Sequence, residues 1–307
     1  DADADGCRDS DEDDNDDNDD FTDSVDQCPT IPGMSSQDRR GCLDSDEDGY
    51  SDPDNSWTTS DGADAFKDEE TQWLDSDGDG FGDEIDGYLG DNCPSVPGSS
   101  VSDRNGCPDS DGDGYSDPDE LWPARDCGAL KCADALPNEA TQWTDLDGDG
   151  FGDNYGNQSW GDSRDTGWPG TYQFLAQMQD GCPTIYGVSS EGVNGCPDSD
   201  GDGWPDSVDA FPNEPTQWAD SDGDGYGDEP DGVNPDDCKI VAGTSTEDRM
   251  ACPDSDGDGW SDASAIWLPE GCGQDLCADA FTSNPTQWID SDGDGYGDNP
   301  QGNNSDQ

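Results

Sequence analysis

The pattern Asp-x-Asp-x-Asp-Gly-aromatic-x-Asp occurs eight times in this chain of 307 residues, starting at Asp44, Asp75, Asp109, Asp145, Asp198, Asp220, Asp254 and Asp290. This self-similarity organises the whole sequence and sets the terms on which it can fold. The acid is not spread as a solvating coat. Of 79 acidic residues, 67 are Asp, and most stand at alternate positions followed by Gly. An acidic disordered linker has no need of a fixed Gly after every third Asp.

The pattern matters because there is little else to fold with. Apolar residues make up 27% of the chain and the net charge is -69. At ~25 cal/mol per Å² of buried apolar surface, so little could not offset ~1–2 kcal/mol of backbone entropy per residue. A phosphate backbone would repel the chain, so nucleic acid is excluded as a partner. No stretch approaches the ~18 apolar residues of a membrane span, and Asp1 to Asp5 do not form a signal peptide. With no histidine, histidine-based catalytic triads and histidine–zinc sites are impossible.

The spacing is that of a calcium loop, with side-chain oxygens at positions one, three and five, a backbone carbonyl at seven and further oxygen at nine and twelve. Carboxylates are hard ligands and suit a hard, large ion of flexible geometry such as Ca²⁺; Mg²⁺ demands tighter octahedral geometry and fits less well. The candidate ligands run Asp44, Asp46, Asp48 and Asp52; Asp75, Asp77, Asp79 and Asp83; Asp109, Asp111, Asp113 and Asp117; and Asp145, Asp147, Asp149 and Asp153. They continue through Asp198, Asp200, Asp202 and Asp206; Asp220, Asp222, Asp224 and Asp228; Asp254, Asp256, Asp258 and Asp262; and Asp290, Asp292, Asp294 and Asp298. A degenerate N-terminal loop reads Asn15, Asp17, Asp19, Asp23 and Asp26; Asp9, Asp11 and Asp13 start another. On the order of ten or more Ca²⁺ ions are expected.

Position twelve is informative. In the Asp198 loop it is Asp209, which begins Asp209-Ala210-Phe211. The same type of triplet recurs at Asp64, Asp134 and Asp279, farther from its loop. Insertions after position nine are inferred, with these residues still closing their loops. Asp26, Asp91, Asp180, Asp236 and Asp306 read as closing ligands of a second loop type, two residues before a cysteine or the place for one. The alternative is that Asp86 and Asp231 close directly.

Cysteines mark the same unit. Cys28/Cys42, Cys93/Cys107, Cys182/Cys196 and Cys238/Cys252 are each fourteen positions apart, and Cys127/Cys132 and Cys272/Cys277 form close pairs inside insertions. Equal spacing reads as disulfides in an oxidising, extracellular setting. Zinc–thiolate sites would show paired Cys-x-x-Cys motifs, which are missing. Cys7 is left over, and both ends cut the pattern, as in a segment of a longer array or a processed subunit. Each unit also carries Thr-Gln-Trp. Trp73, Trp143, Trp218 and Trp288 are expected to pack as miniature cores, joined by Phe81, Phe151, Tyr226 and Tyr296 from loop position seven. In the richest insertion, Asn154 to Gln179, residues 171–178 read as a short helix. Elsewhere Gly and Pro favour turns. The division is a partial repeat over 1–43, then repeats over 44–108, 109–197 (with insertions), 198–253 and 254–307 (truncated). The expected fold class is mostly irregular coil: tandem calcium loops wound around lines of ions and stapled by disulfides.

These residues resemble thrombospondin type 3 repeats. The matching text is Asp-x-Asp-x-Asp-Gly-x-x-Asp, together with Asp26-Gln27-Cys28-Pro29 and Asp91-Asn92-Cys93-Pro94. The resemblance covers nearly the whole chain. It implies little regular secondary structure, a line of calcium ions, disulfide staples, and extracellular adhesion, matrix or cell-surface roles. The Thr-Gln-Trp segments and insertions look more like microbial surface proteins that carry such repeats.

The leading expectation is therefore a calcium-dependent structural protein, a rigid stalk or a subunit of a surface filament that associates with itself. A calcium-dependent adhesin or carbohydrate-binding module is the alternative, using Trp160, Trp168 and Tyr172 with a glycan or cell-surface partner. An enzyme is not expected, because no Ser or Cys has a base beside it.

Overall fold

The computed structural model describes residues 14–125, 132–163, 169–269 and 277–306. Cys7, Cys127, Cys272, Trp168 and the loop from Asp9 lie outside them. Regular structure among the described residues amounts to one 3₁₀ turn, Thr59–Asp61, and one short α-helix, α1, Gln158–Ser163. Isolated bridges such as Gly82 with Gly90 and Gly227 with Pro235 replace strands. The fold is mostly coil, as the turn-rich sequence predicts. The chain divides into two compact units, Asp1–Leu146 with Gly152–Met178, and Asp147–Phe151 with Gln179–Gln307.

Coil on this scale must satisfy its backbone by other means than ladders. Side chains do it. The largest fully buried side chains include Gln72, Gln142, Gln217 and Gln287, from the four Thr-Gln-Trp segments. Gln72 accepts from the Glu84 amide at 3.0 Å and donates to the carbonyls of Glu84 and Tyr88 at 2.8 and 3.1 Å. Gln217 repeats this with Glu229 and Val233. There is room for the amide only because the facing residue lacks a side chain: a Cβ on Gly82 would lie 1.9 Å from the Gln72 oxygen.

The buried apolar residues are small, namely Cys42, Ala63, Cys107, Ala133, Ala176, Cys196, Ala251, Cys252 and Ala278. Four disulfides close the expected loops, Cys28–Cys42, Cys93–Cys107, Cys182–Cys196 and Cys238–Cys252, each spanning fourteen positions. In the chain-entropy picture each such loop contributes ~3 kcal/mol. Cys132 and Cys277 are also disulfide-bonded. A fully buried serine orders each loop: the hydroxyls of Ser35, Ser100, Ser189 and Ser245 accept from the amides of Cys42, Cys107, Cys196 and Cys252.

Two expectations are corrected. The tryptophans stack on position-seven rings of the other loop type. The pairs are Tyr50–Trp73, Tyr115–Trp143, Trp204–Trp218 and Trp260–Trp288, with centroids 5.1–6.4 Å apart and interplanar angles of 4–10°. Phe81, Phe151, Tyr226 and Tyr296 are not those partners, and Tyr296 is exposed. The ring must come from the loop preceding Thr-Gln-Trp, because Trp73 backs onto that loop's closing segment through the Ala65 amide, which donates to its carbonyl. The helix expected at 171–178 is absent. Leu175 and Met178 take left-handed conformations, φ 60° and 44°, which end any right-handed helix.

Candidate metal centres

Each Asp loop is a ring of amides turned onto carboxylates. In the Asp75 loop, Gly78 and Gly80 donate to the two oxygens of Asp75 at 2.7 and 3.1 Å. Asp79 donates to Asp77 Oδ1 at 3.3 Å and Phe81 to Asp79 Oδ1 at 2.9 Å. These are the short-range turns that Asp side chains favour. Gly78 and Gly80 carry φ of 84° and 94°, values that glycine adopts without steric cost. The arrangement recurs in the loops from Asp109, Asp198, Asp220, Asp254 and Asp290.

Position nine braces the loop. Ser76 donates through its amide and hydroxyl to the two oxygens of Asp83, at 2.9 and 2.6 Å. The Asp52, Asp117, Asp206, Asp228, Asp262 and Asp298 carboxylates are held the same way by Ser45, Ser110, Ser199, Ser221, Ser255 and Ser291. The serine at position two is readable in the sequence as a constant of these loops, and it serves the position-nine carboxylate rather than the ion. In the Asp145 loop Leu146 replaces it, and only its amide reaches Asp153, at 3.4 Å.

The closing residues obey one rule. The amides of Asp64, Asp134 and Asp279 donate to the position-eight carbonyls of Ser51, Ser116 and Ser261 at 3.0, 2.9 and 2.8 Å. Asp209, with no insertion, bonds Pro205 at position eight at 3.0 Å. The insertions thus leave the loop geometry intact. The second loop type follows suit, with Asp91 on Gly82, Asp236 on Gly227, Asp306 on Gly297 and, in the N-terminal loop, Asp26 on Thr22. Asp91 and Asp236 are buried, 1% and 2% exposed, whereas Asp86 and Asp231 are exposed, which favours Asp91 and Asp236 over the direct-closure alternative.

An arginine holds the start of three of the insertions. Arg104 donates to Ser116 Oγ at 2.9 Å, to Asp119 at 2.6 Å and to the Asp117 carbonyl at 3.1 Å, and lies 5.3 Å from the Trp122 ring centre. Trp122 in turn donates to Asp103. Arg39 with Trp57 and Arg249 with Trp267 repeat the clamp. Val193 stands at the equivalent place in the repeat that has no insertion.

The side-chain oxygens left over define what the loops can do. In the Asp44 loop, Oδ2 of Asp46, Asp48 and Asp64 is buried without a hydrogen-bond partner. The same holds for Asp77 and Asp91, Asp111 and Asp113, Asp200 and Asp202, Asp222 and Asp236, and Asp256 and Asp258. In the N-terminal loop it holds for Asp17 and Asp26. Such atoms normally find partners. Ligand oxygens of Asp44, Asp46 and Asp48, of Asp75, Asp77 and Asp79, of Asp109, Asp111 and Asp113, and of Asp17, Asp19 and Asp26 lie within 4.8 Å of one another. Converging buried carboxylate oxygens with no protein donor fit a hard cation.

The electrostatics agree. Burial, reinforced by neighbouring Asp charges and partly offset by backbone amides, pushes Asp48, Asp91 and Asp113 up to about 6. Asp64, Asp134 and Asp279 rise to about 7. Asp17, Asp26, Asp44, Asp77, Asp111, Asp202, Asp209, Asp236 and Asp258 are raised too, burial leading in each. Asp119, held by the Arg104 guanidinium, is lowered. The two kinds of carboxylate are thereby separated: those with a cation in hand and those without one.

The chain passes between its two units within the Asp145 loop, with Asp145 and Asp153 in the first and Asp147, Asp149 and Asp180 in the second. Asp149 and Asp180 make their usual local bonds, from the amides of Phe151 and Cys182. Asp220, Asp224, Asp228, Asp254, Asp290, Asp292 and Asp294 hold their loop places; the last three stand in the most exposed loop.

No protein-family model matches the chain, and no curated protein matches it. Among the described residues no helix is long and apolar enough to cross a membrane. The disulfides fit an oxidising environment of the kind secreted proteins meet.

Proposed function

We propose that this is a calcium-stabilised structural protein of the cell exterior, a stalk or a subunit of a surface filament. The observation that carries the reading is the set of buried, partnerless Asp oxygens at positions three, five and closing. In the absence of a cation the interior of each loop is self-repelling. Calcium would supply the positive charge, joined by the ligands that are already held, and take the part that apolar residues play in an ordinary core. The resemblance to thrombospondin type 3 repeats supports the same reading.

Extracellular modules bind calcium with Kd of about 10⁻⁴–10⁻³ M. At ten times that concentration one site contributes ~1.4 kcal/mol through mass action, and ten sites on the order of 14 kcal/mol. That is comparable to the whole stability of a typical domain. Chelation at neutral pH should sharply reduce order, leaving only what the disulfides and local hydrogen bonds hold, read by circular dichroism and small-angle scattering of the disulfide-intact chain. Spectra and dimensions unchanged in EDTA would overturn the proposal. Self-association is the corollary: with -69 charges per chain, any filament should need calcium to form.

A further inference from the structure

We infer that the calcium sites are graded, and that Ala251 makes the site closed by Asp236 weaker than its counterpart closed by Asp91. This rests on reading the loops as calcium sites. The residue before the second cysteine is Gly41, Gly106, Gly195 and Ala251 in the four disulfide loops. All four are left-handed, with φ of 73°, 68°, 72° and 62°. All four donate their amide to the same buried serine's carbonyl, at 3.1, 3.1, 3.1 and 2.9 Å. The backbone frame is thus unchanged, and only the side chain differs.

That side chain has a defined target. A Cβ on Gly41 would lie 2.2 Å from Asp26 Oδ1, on Gly106 2.2 Å from Asp91 Oδ1, and on Gly195 2.3 Å from Asp180 Oδ1. No such distance is tolerated, and the far end of the Asp is what can move. At Ala251 the Cβ is present, in a position 0% exposed. The Asp236 carboxylate keeps the same anchor as its counterparts, with the Cys238 amide donating to Asp236 Oδ1 at 2.5 Å and Cys28, Cys93 and Cys182 donating to their aspartates at 2.7 Å, so the methyl group of Ala251 bears on the oxygen that this anchor fixes. Asp236 is the residue whose Oδ2 is buried without a partner, as is that of Asp91, and its charge neighbours are Asp224, Asp222 and Asp228 of the loop it closes.

A methyl group therefore crowds the closing ligand in one site, where the other site has only a hydrogen. As calcium falls, the loop closed by Asp236 should lose its ion while the loop closed by Asp91 keeps its own, and the disulfide segment that follows each should loosen in the same order. The chain then has a set order of loosening, fixed by one residue.

The test is hydrogen exchange with mass spectrometry on the full disulfide-bonded chain across a calcium titration, reading peptides that cover 236–252 and 91–107. Protection of 236–252 should appear at calcium concentrations about tenfold higher than for 91–107, the size expected for impairing one charge-assisted contact. Ala251→Gly should bring the two midpoints together, and it relieves a left-handed alanine and so does not threaten folding. Gly106→Ala should raise the midpoint of 91–107. Equal midpoints in the parent chain, or a midpoint for 236–252 that Ala251→Gly does not lower, would overturn the grading. Protection independent of calcium in both peptides would instead overturn the calcium reading beneath it.

Discussion

Asp64→Asn should change stability with opposite signs in the presence and absence of calcium. Asp64 is 1% exposed, and its Oδ1 accepts the Phe66 amide at 2.7 Å while Oδ2 has no partner. Asparagine keeps the shape and the first bond and removes the charge. Without cation, burial and the charges of Asp48, Asp46 and Asp52 raise this carboxyl from 3.8 to about 7. At ~1.36 kcal/mol per unit that is a ceiling of ~4 kcal/mol for ionising it in the folded state; solvent screening around the loop brings the figure to ~2 kcal/mol. The variant should therefore be more stable than the parent by ~2 kcal/mol in EDTA at pH 8. With saturating calcium it loses a charged ligand and should be less stable by on the order of 3 kcal/mol. The sign against pH is fixed. A raised acid pKa means the native chain binds more protons, so the parent's stability is intact below 3.8 and lost as pH rises through about 7. The advantage of the variant in EDTA should vanish by pH 3.5. Native-state hydrogen exchange of the segment 50–73 measures the local opening energy under each condition. A variant less stable than the parent under both conditions would refute the reasoning, since that is what an ordinary buried hydrogen-bonded Asp would give.

Other outcomes follow from the same geometry. The cation-free chain should be more ordered at pH 4 than at pH 8 by circular dichroism, because Asp134 and Asp279 also titrate up to about 7; calcium should reverse that trend. Gln217→Ala should cost ~3 kcal/mol in thermal denaturation with calcium, because it strands the Glu229 amide and two carbonyls that the buried side chain now serves. Arg104→Lys should make the 117–134 insertion more susceptible to limited proteolysis without changing the calcium midpoint of 91–107. A lysine cannot reproduce the three bonds and the ring contact of the guanidinium.

The loops, the disulfide pairs and the insertions were legible because each repeats at fixed spacing, and a periodic pattern needs no tertiary knowledge to be seen. Asp64, Asp134 and Asp279 could be assigned as closing residues from the shared Asp-Ala-Phe/Leu triplet alone. Whether Asp86 or Asp91 closes a loop could not, since both stand at plausible distances and only burial separates them. Sequence proximity points from Trp73 to Phe81, which is much the nearer of the two in the chain, and the backbone direction that selects the more distant Tyr50 is a tertiary fact. The Thr-Gln-Trp segments were read for the ring and not for Gln72, because a buried amide serving three backbone groups leaves no hydropathy signal. The Arg39, Arg104 and Arg249 clamps are visible in the sequence as a correlation, present where an insertion follows and replaced by Val193 where none does, but their role becomes apparent only from the bonds that Arg104 makes to Ser116 and Asp119 and its contact with Trp122.

The closing rule at position eight has a consequence for how such a chain acquires order. The disulfides span fourteen positions, and the bonds of Gln72 reach twelve and sixteen. Contacts this local carry little loop-closure cost and do not wait on distant segments. Each stretch can therefore order as soon as its own turn of chain is complete, in the manner of a zipper with independent teeth. On the calcium reading, a chain built this way would set one loop at a time, each as it meets its own ion.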